Sequence, residues 1–222
     1  MEEHAVRIQS VEPVTHDVHR FRLERPPGYS FVPGQATEIA VNKPGWTDQR
    51  RPFTFTGLAE WDLLEFTIKI YNEHEGVTRE LGRCRPGDEL LLHDVWGAIQ
   101  YKGTGVFIAG GAGITPFIAI LRQLYHENSI ANNQLFFSNK TADDIILRNE
   151  LSQMLGANFH NTLTREQREG LGYGKIDRNF LAQHIRDFNQ HFYICGPDQM
   201  VADVKADLYA LGASESLVTV EL

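Results

Sequence analysis

The sequence predicts an antiparallel barrel or sandwich of six strands over residues 1–102, followed by a parallel α/β domain over residues 103–222. In the first part, apolar and polar residues alternate on a period of two within short segments. In the second part, continuous apolar segments alternate with segments of helical periodicity. Apolar residues make up 42% of the chain and charged residues 23%, which excludes disordered, collagenous and coiled-coil classes.

The first part consists of short segments rich in β-branched and aromatic residues, which turn sequences such as RPPG, VPGQ and RPGD separate. The predicted strands cover residues 6–11, 19–25, 36–41, 53–58, 64–71 and 89–94. Between the last two, residues 75–84 predict a short helix with Thr78 near its N-terminus. Six such strands are typical of a closed antiparallel barrel or a sandwich.

The second part alternates strands and helices. Predicted strands cover residues 105–111, 134–139, 157–164, 191–196 and 216–222. Predicted helices cover residues 114–127, 143–155, 179–188 and 198–212. Because the strands are of the fully buried type, this alternation predicts a parallel sheet with helices packed on it.

Charge and cysteine content narrow the function. Residues 1–102 carry 12 Lys and Arg against 16 Asp and Glu, and residues 103–222 carry 9 against 13, so neither part has the basic excess of a nucleic-acid-binding protein. Cys84 and Cys195 stand far apart and outside any CxxC pattern. A disulfide framework, a cysteine-rich zinc site and a four-cysteine iron-sulfur cluster within this chain are therefore excluded, and we expect no metal.

The N-terminal sequence MEEHAVRIQS has neither a basic nor an apolar leader segment, so we expect a cytoplasmic protein. The uncharged residues 103–121 include five glycines and Pro116, which disfavours a membrane-spanning helix. We interpret this stretch as a strand, a glycine loop and a helix, and expect no membrane insertion.

Two motifs follow buried strands of the second part. Gly110, Gly111 and Gly113 precede a helix with Pro116 in its first turn, a context in which backbone amides can cradle a phosphate. The alternative is an ordinary tight turn. Cys195 stands in ICGPDQM at the end of another buried strand, and the carboxyl ends of parallel strands share one edge of a sheet. The alternative here is a small core cysteine.

The third motif lies in the first part. Arg51, Pro52, Phe53 and Thr54 combine a cation, an aromatic plane and a hydroxyl at the start of a strand. A flavin nucleotide needs charge for its phosphate, a ring for stacking and a donor for a ring nitrogen. An arginine before a strand is, alternatively, a solvated surface residue.

In this order and separation, the three motifs resemble those of the ferredoxin-NADP reductase superfamily. RPFT is similar to the Arg-x-Tyr-Ser/Thr flavin motif, GGAGITP to the Gly-x-Gly-x-Thr-Pro nucleotide loop, and CGPDQM to the Cys-Gly-Pro-x-x-Met turn. The stretch FFSNKTADDIILRNEL also resembles the nitrate-reductase and microsomal cytochrome-reductase branch. The resemblance implies an FAD-binding antiparallel barrel over residues 1–102 and an NAD(P)-binding α/β domain over residues 103–222.

For the flavin, the resemblance implies that Arg51 contacts the pyrophosphate, Phe53 contacts the isoalloxazine and Thr54 hydrogen-bonds the ring nitrogen that accepts hydride. It further implies a second phosphate-binding loop at Gly76, Val77 and Thr78. The alternative for that loop is an ordinary N-cap by Thr78. Phe53 replaces the usual Tyr, which keeps the ring but loses its hydroxyl. DVWG (94–97) lacks the family's Gly-Pro, so FMN is the alternative to FAD.

For the nicotinamide nucleotide, the resemblance implies binding by the glycine loop and by the cysteine turn. Cys195 is expected near the nicotinamide, and Glu221 near the flavin. Thr54, Cys195 and Glu221 form the candidate catalytic set. The remaining nucleotide-binding candidates are Gly111, Gly113, Thr115, Pro116, Thr164, Arg165, Gly196, Pro197 and Met200.

Two features of the sequence conflict over the choice of nucleotide. The stretch NKTADDIILRNEL resembles a branch that prefers NADH, which favours NADH. The NADH-preferring branch has an acidic residue where this chain has Thr164, and the pair Thr164–Arg165 resembles the Ser-Arg pair that holds the ribose 2′-phosphate in NADPH-using relatives. Lys140 adds a nearby cation. We therefore expect NADPH to be accepted at least as well as NADH, unless Arg165 pairs with Glu166 or Glu169 instead.

The predicted function is an NAD(P)H-dependent flavoprotein reductase that passes electrons to a separate carrier such as ferredoxin or flavodoxin. Alternatives are a reductase of free flavin, the reductase component of an oxygenase, and a binding module that keeps only the fold. An acidic carrier needs a local basic surface. The candidates for that surface are Arg50, Arg79, Arg83 and Arg85.

Overall fold

The computed structural model describes residues 3–97 and 99–221. It divides into two compact units. The first comprises the chain up to Gln100 together with Thr115–Gln123, and the second comprises Tyr101–Ile114 and the chain from Leu124 onward. The helix that follows the glycine loop therefore packs largely with the N-terminal sheet. The assignment of FAD binding to residues 1–102 and of nucleotide binding to residues 103–222 stays a prediction.

The first unit is built on a six-stranded antiparallel sheet, as predicted. Its strands are β1 (His4–Pro13), β2 (Val18–Glu24), β3 (Gln35–Val41), β4 (Arg51–Thr54), β5 (Leu63–Lys69) and β6 (Glu89–Gly97). Helix α1 (Val77–Leu81) lies between β5 and β6 in the chain, and helix α2 (Thr115–His126) contributes residues up to Gln123.

The strand order of this sheet is β4-β3-β6-β1-β2-β5. Just beyond β4, the Thr56 amide donates to the Glu65 carbonyl of β5 at 2.8 Å, which draws the two ends of the order together. The inward alternate residues form one apolar core that includes Phe21, Phe55 and Phe66, all fully buried. This inward side of each strand accounts for the period-two pattern of the sequence.

The second unit is built on a parallel sheet of order β10-β9-β8-β7-β11-β12. Its strands are β7 (Gly105–Gly110), β8 (Gln134–Asn139), β9 (Phe159–Leu163), β10 (Gly172–Tyr173), β11 (His191–Cys195) and β12 (Val218–Val220). Its helices are α3 (Arg148–Leu155), α4 (Arg178–His184) and α5 (Asp198–Ala210). Every residue of β7 is buried, as the continuous apolar pattern predicts.

Several elements differ from the prediction. Strand β4 covers Arg51–Thr54 instead of residues 53–58, and α4 ends at His184 instead of residue 188. Residues 143–155 do not form one helix, because Leu147 adopts φ 52° and α3 begins only after it. The Asp144 carboxylate accepts hydrogen bonds from the Thr141 amide and hydroxyl and ends a separate short turn. Strand β10 was not predicted at all; it consists of two residues flanked by further glycine and charged positions.

In the residues that the structure describes, no helix is long and apolar enough to cross a membrane. The uncharged run that could mimic such a helix is divided between β7, the glycine loop and α2, as predicted. The cytoplasmic location stays a prediction.

Candidate functional site

The predicted nucleotide-binding residues of the second unit gather at the carboxyl edge of its parallel sheet. Gly111 follows β7, Thr164 follows β9, Cys195 ends β11, and Glu221 follows β12. The registers align these ends, since Ala109 pairs with Cys195 and Ile194 with Val220. In open α/β sheets, this is the edge at which ligands bind.

The glycine loop and the cysteine turn interlock at this edge. A Cβ atom added to Gly113 would lie 2.4 Å from the Cys195 carbonyl oxygen, and one added to Gly110 would lie 2.5 Å from the Met200 sulfur. Gly196 is less tightly confined, since its added Cβ would approach the Gly110 amide nitrogen at 3.1 Å. Close backbone approach therefore requires glycine most clearly at Gly113.

The conformation of the glycine loop is special at Gly111, where φ is 54°. This left-handed conformation favours glycine and starts a short 3-10 turn over Gly111–Ile114. Thr115 and Pro116 then open α2, where the missing amide of proline costs no intrahelical hydrogen bond. Pro197 likewise immediately precedes α5.

Cys195 and Glu221 form a buried pair within the second unit. The thiol Sγ donates to Glu221 Oε2 at 2.6 Å, and the Glu221 amide donates to the Ile194 carbonyl at 3.3 Å. Burial, followed by the neighbouring carboxylate, raises the pKa of the Cys195 thiol far above its ordinary value. Burial also raises the pKa of Glu221, although the hydrogen bond from Cys195 opposes this. The thiol is therefore protonated at neutral pH, and it lacks the thiolate character of a nucleophile.

The pairing of Cys195 with Glu221 was not part of the sequence prediction. The two residues are 26 positions apart, and no local pattern connects them. Only the parallel register of β11 and β12 brings them together.

The residues proposed for a ribose phosphate lie beside one another at the ends of β8 and β9. The Thr164 amide donates to the Asn139 carbonyl at 2.9 Å, and the Arg165 amide donates to the Lys140 carbonyl at 2.9 Å. The side chains of Arg165 and Lys140 are exposed and make no ion pair in the part of the chain that the structure describes. Glu166 contacts the Ala142 amide and Arg168 instead. The alternative of an Arg165 ion pair thus finds no support.

The flavin-binding candidates of the first unit lie on β4. Arg51 and Pro52 are exposed, Phe53 is half-buried against the apolar core, and Thr54 is 6% exposed. The Arg51 guanidinium donates to the Arg50 carbonyl at 2.7 Å and makes no ion pair within residues 3–97 and 99–221. The Thr54 hydroxyl is buried and has no hydrogen-bond partner among the residues that the structure describes. A buried hydroxyl without a partner is unfavourable unless a ligand or water supplies one.

The second phosphate-binding candidate is the start of α1. Gly76 occupies the N-cap position, no side chain caps this end, and Val77 is buried. Thr78 lies inside the helix, so the alternative that Thr78 is an N-cap is wrong. The helix start therefore presents its first amides without a capping side chain.

The arginines considered for carrier binding are mostly paired with acidic residues. Arg50 lies 3.8 Å from Glu3, Arg79 lies 3.8 Å from Glu75, and Arg83 lies 3.1 Å from Glu80. Arg85 has no ion pair within the described ranges, and its backbone amide donates to Asp88. These contacts weaken the case for a strongly basic surface here.

Comparison with known proteins agrees with this geometry. Residues 107–206 match the family model described as the oxidoreductase NAD-binding domain. The chain is 27% identical over 213 residues to the propane 2-monooxygenase reductase component of Mycolicibacterium smegmatis, covering 88% of this chain and 60% of that protein. It is 26% identical over 222 residues to NADH-cytochrome b5 reductase 1 of Coccidioides immitis, covering 90% and 71%. The chain thus spans about three fifths of the monooxygenase reductase component.

Solved structures share the fold over the whole chain. A ferredoxin NADP+ reductase from Neisseria gonorrhoeae with bound FAD and NADP superposes with a TM-score of 0.87 at 20% identity, covering 100% of this chain and 98% of that one. The cytochrome b5 reductase domain of Ulva prolifera nitrate reductase gives a TM-score of 0.85 at 21% identity, covering 100% and 97%. At these identities the likeness concerns the fold.

Proposed function

Because the chain shares the fold and the nucleotide-binding domain of the ferredoxin-NADP reductase superfamily, we propose that it is a flavoprotein reductase. It takes electrons from NADPH or NADH and passes them through bound FAD to a separate carrier protein. We assign FAD binding to residues 1–102 and nucleotide binding to residues 103–222. When bound, the flavin supplies the redox chemistry, because it accepts two electrons from a nicotinamide and releases them one at a time.

The observation that carries the proposal is the unpartnered hydroxyl of Thr54 on β4. Its neighbour Arg51 has an exposed guanidinium that pairs with no carboxylate among the described residues. The strand thus offers a donor for a ring nitrogen and a cation for a phosphate, which fits a flavin nucleotide. Because α1 offers further uncapped amides at Gly76, we favour FAD over FMN.

Nucleotide binding is supported by the close approach of the glycine loop and the cysteine turn. A Cβ added to Gly111 would meet no atom within 4 Å among the described residues, so we propose that a pyrophosphate approaches the backbone amides at the carboxyl edge of the sheet there. Cys195 holds its proton on Sγ, directed at Glu221, so we assign both residues to packing and polarising the nicotinamide site. Neither is required to form a covalent bond.

The flavin assignment is tested by purification and by removal of Arg51. We expect a yellow protein that releases FAD on denaturation. Arg51→Ala should weaken flavin binding by about 1.5 to 3 kcal/mol, through loss of a charge-assisted contact. Flavin titration of the apoprotein measures this. Arg50→Ala is the control, because Arg50 is already paired with Glu3.

Three results would change the assignment. Unchanged flavin affinity in Arg51→Ala would remove Arg51 from the site. A colourless protein that reduces added flavin with NADPH would identify free flavin as the substrate. A protein that oxidises neither NADH nor NADPH with any artificial acceptor would favour a binding module.

The nucleotide preference is tested at Arg165. We propose that Thr164, Arg165 and Lys140 contact the 2′-phosphate of NADPH, because the backbones of Arg165 and Lys140 are hydrogen-bonded and their exposed side chains make no ion pair in the described part of the chain. Arg165→Ala should raise the KM for NADPH about tenfold, or about 1.4 kcal/mol, and leave the KM for NADH nearly unchanged. Arg168→Ala is the matched control, since Arg168 pairs with Glu166. Equal effects on NADPH and NADH would contradict the phosphate contact.

For the acceptor, we propose a separate one-electron carrier such as ferredoxin or flavodoxin. The likeness to a propane 2-monooxygenase reductase component favours a second candidate, in which the chain serves as the reductase of an oxygenase. Reduction of a purified carrier by this protein, compared with reduction of an oxygenase component, distinguishes them.

A further inference from the structure

Helix α2 carries a buried arginine that the proposed function does not use. Arg122 is 7% exposed, on a helix whose other buried side chains are apolar. It belongs with residues 115–123 to the first unit. Burial of a guanidinium is unfavourable unless the group is paired and hydrogen-bonded. The hydrogen-bond partners of Arg122 therefore indicate which part of the fold this residue stabilises.

Arg122 has partners in the segment that follows β4 and in β5. Its Nη1 donates to Glu65 Oε1 at 2.5 Å and to the Thr56 carbonyl at 2.7 Å. The guanidinium also lies 5.3 Å from the centre of the Trp61 ring. Three separate contacts therefore fix the orientation of one side chain.

Glu65 is the centre of this network. It is 1% exposed and also accepts from the Thr56 hydroxyl at 3.1 Å and from Arg22 at 3.3 Å. The Thr56 hydroxyl lies 3.2 Å from that of Thr67. Thr56 is thus held through both its carbonyl and its hydroxyl, at a position fully shielded from solvent.

Thr56 stands two residues after Thr54, whose unpartnered hydroxyl is the proposed contact of the flavin. At the other end of the network, Arg122 stands two helical turns after Thr115 and Pro116, which open α2 within the proposed nucleotide loop. The network therefore ties the strand end that carries Thr54 to the helix that carries Thr115.

We infer that Arg122 and Glu65 are positioning residues, which hold Thr54 in place for electron transfer from the nucleotide to the flavin. This inference rests on the proposed function. Without the guanidinium, the Thr56 carbonyl loses its donor and the end of β4 is less constrained. Small displacements of a reacting geometry slow the reaction strongly while binding elsewhere is unaffected.

The test compares full-length holoproteins with Arg122→Met, Glu65→Met and both changes together. Arg122→Met removes the closest cation of the buried Glu65 carboxylate and leaves it the more exposed Arg22, and Glu65→Met removes this carboxylate from the buried Arg122 guanidinium. Each single change should therefore lower the urea midpoint of unfolding. The double change removes both charges, and apolar replacement of a buried ion pair commonly recovers stability. We expect the double variant to regain the midpoint but to reduce its flavin at least tenfold more slowly in stopped-flow experiments, with kcat lowered and the KM for NADPH within twofold of wild type.

Arg22→Gln is the matched control. Arg22 also donates to Glu65, but it makes no contact with Thr56 and is 38% exposed. This variant should be less stable than wild type and should reduce its flavin at the wild-type rate. A double variant that regains both stability and rate would show that the pair only stabilises the fold, and would overturn the inference.

If the double variant does not fold, Arg122→Lys answers the same question. Lysine keeps the charge for Glu65, but its single nitrogen on a shorter side chain cannot also hold the Thr56 carbonyl and cover Trp61. We expect a stable protein with a several-fold lower kcat and an unchanged KM for NADPH; a wild-type kcat would overturn the inference. A wild-type protein that binds no flavin or oxidises no nicotinamide would instead remove the proposed function itself.

Discussion

At the scale of single residues, the most informative groups are buried polar atoms that have no hydrogen-bond partner among the described residues. The Thr54 hydroxyl is buried without a partner, whereas the Thr56 hydroxyl two residues later is bonded to Glu65 and lies beside Thr67. Two threonines that stand two residues apart thus differ: the protein supplies hydrogen-bond partners to the hydroxyl of Thr56 but none, among the described residues, to the hydroxyl of Thr54. This contrast is why we propose Thr54 as the group that binds the flavin and treat Thr56 as a structural one.

Replacement of Thr54 by Val should affect stability and function in opposite directions. Because valine has nearly the same shape and no hydroxyl, Thr54→Val should stabilise the flavin-free protein by about 1 to 3 kcal/mol in urea unfolding. The same change should slow flavin reduction more than it weakens NADPH binding.

Thr56→Val is the control, and it should destabilise the protein because Glu65 loses a donor in a buried position. A Thr54→Val protein with the wild-type rate of flavin reduction would argue that the hydroxyl does not contact the flavin.

At the scale of elements, sequence patterns predicted those elements whose side chains follow a clear period. The strand Gln134–Asn139 was predicted with its correct bounds, and α2 to within one residue at each end, because burial on one or both faces imposes the pattern. Strand β10 escaped prediction because its short pairing depends on backbone contacts such as that from the Gly174 amide to the Leu163 carbonyl. Backbone hydrogen bonds of this kind do not impose a pattern on the side chains, so the sequence does not show them.

The candidate site shows the same limit. The glycine loop and the cysteine turn were predicted at one edge because parallel strands place their carboxyl ends together. Their contact at Gly113 and Cys195, and the hydrogen bond from Cys195 to Glu221, depend on strand order and register. Order and register are set by the packing of the whole sheet, and a motif does not encode them.

The interlocked turns predict a severe effect of a single methyl group. In Gly113→Ala, the added Cβ would overlap the Cys195 carbonyl, so the two turns must separate. We expect a loss of stability of about 1 to 3 kcal/mol, as for other overpacked sites, and a much weaker affinity for NADPH. Thermal unfolding and nucleotide titration measure the two effects.

Gly97→Ala is the matched control, because no atom lies within 4 Å of the added Cβ and φ is not positive there. It should change neither quantity appreciably. Normal NADPH affinity in Gly113→Ala would mean that the contact between the turns is not needed for binding.

At the scale of the whole molecule, the compact units do not follow the order of the chain. Residues 115–123 complete the first unit, although they come after β7 of the second. Arg122 and Ile120 are the visible reasons, since Arg122 binds Glu65 and Ile120 lies against Gly34. The alternation of strands and helices in the sequence could not predict that α2 packs in the first unit. A sequence pattern indicates the order of the elements along the chain but not which elements pack together.

A fragment of residues 1–102 should therefore fold poorly, despite containing every strand of the N-terminal sheet. Without α2, its apolar contacts near Gly34 become exposed, and we expect binding of a hydrophobic dye and weak retention of flavin. Glu65→Met provides the control. It should destabilise the full chain by about 3 to 5 kcal/mol. It should change the stability of the fragment little, because the Glu65 carboxylate of the unmodified fragment is hydrated. A fragment as stable as the full chain would refute the importance of α2.

The late position of α2 also bears on biosynthesis. A nascent chain emerges from the ribosome in sequence order, and N-terminal domains commonly fold while synthesis continues. Residues 115–123 are synthesised about 1 to 4 s after the last residues of the N-terminal sheet at ordinary synthesis rates. Strand β7 emerges from the ribosome before them. During that interval the N-terminal sheet has all its strands but lacks α2, and β7 has no strand partner. Chaperone contact with the nascent chain is accordingly expected to be greatest while β7 is exposed and before Gln123 has emerged.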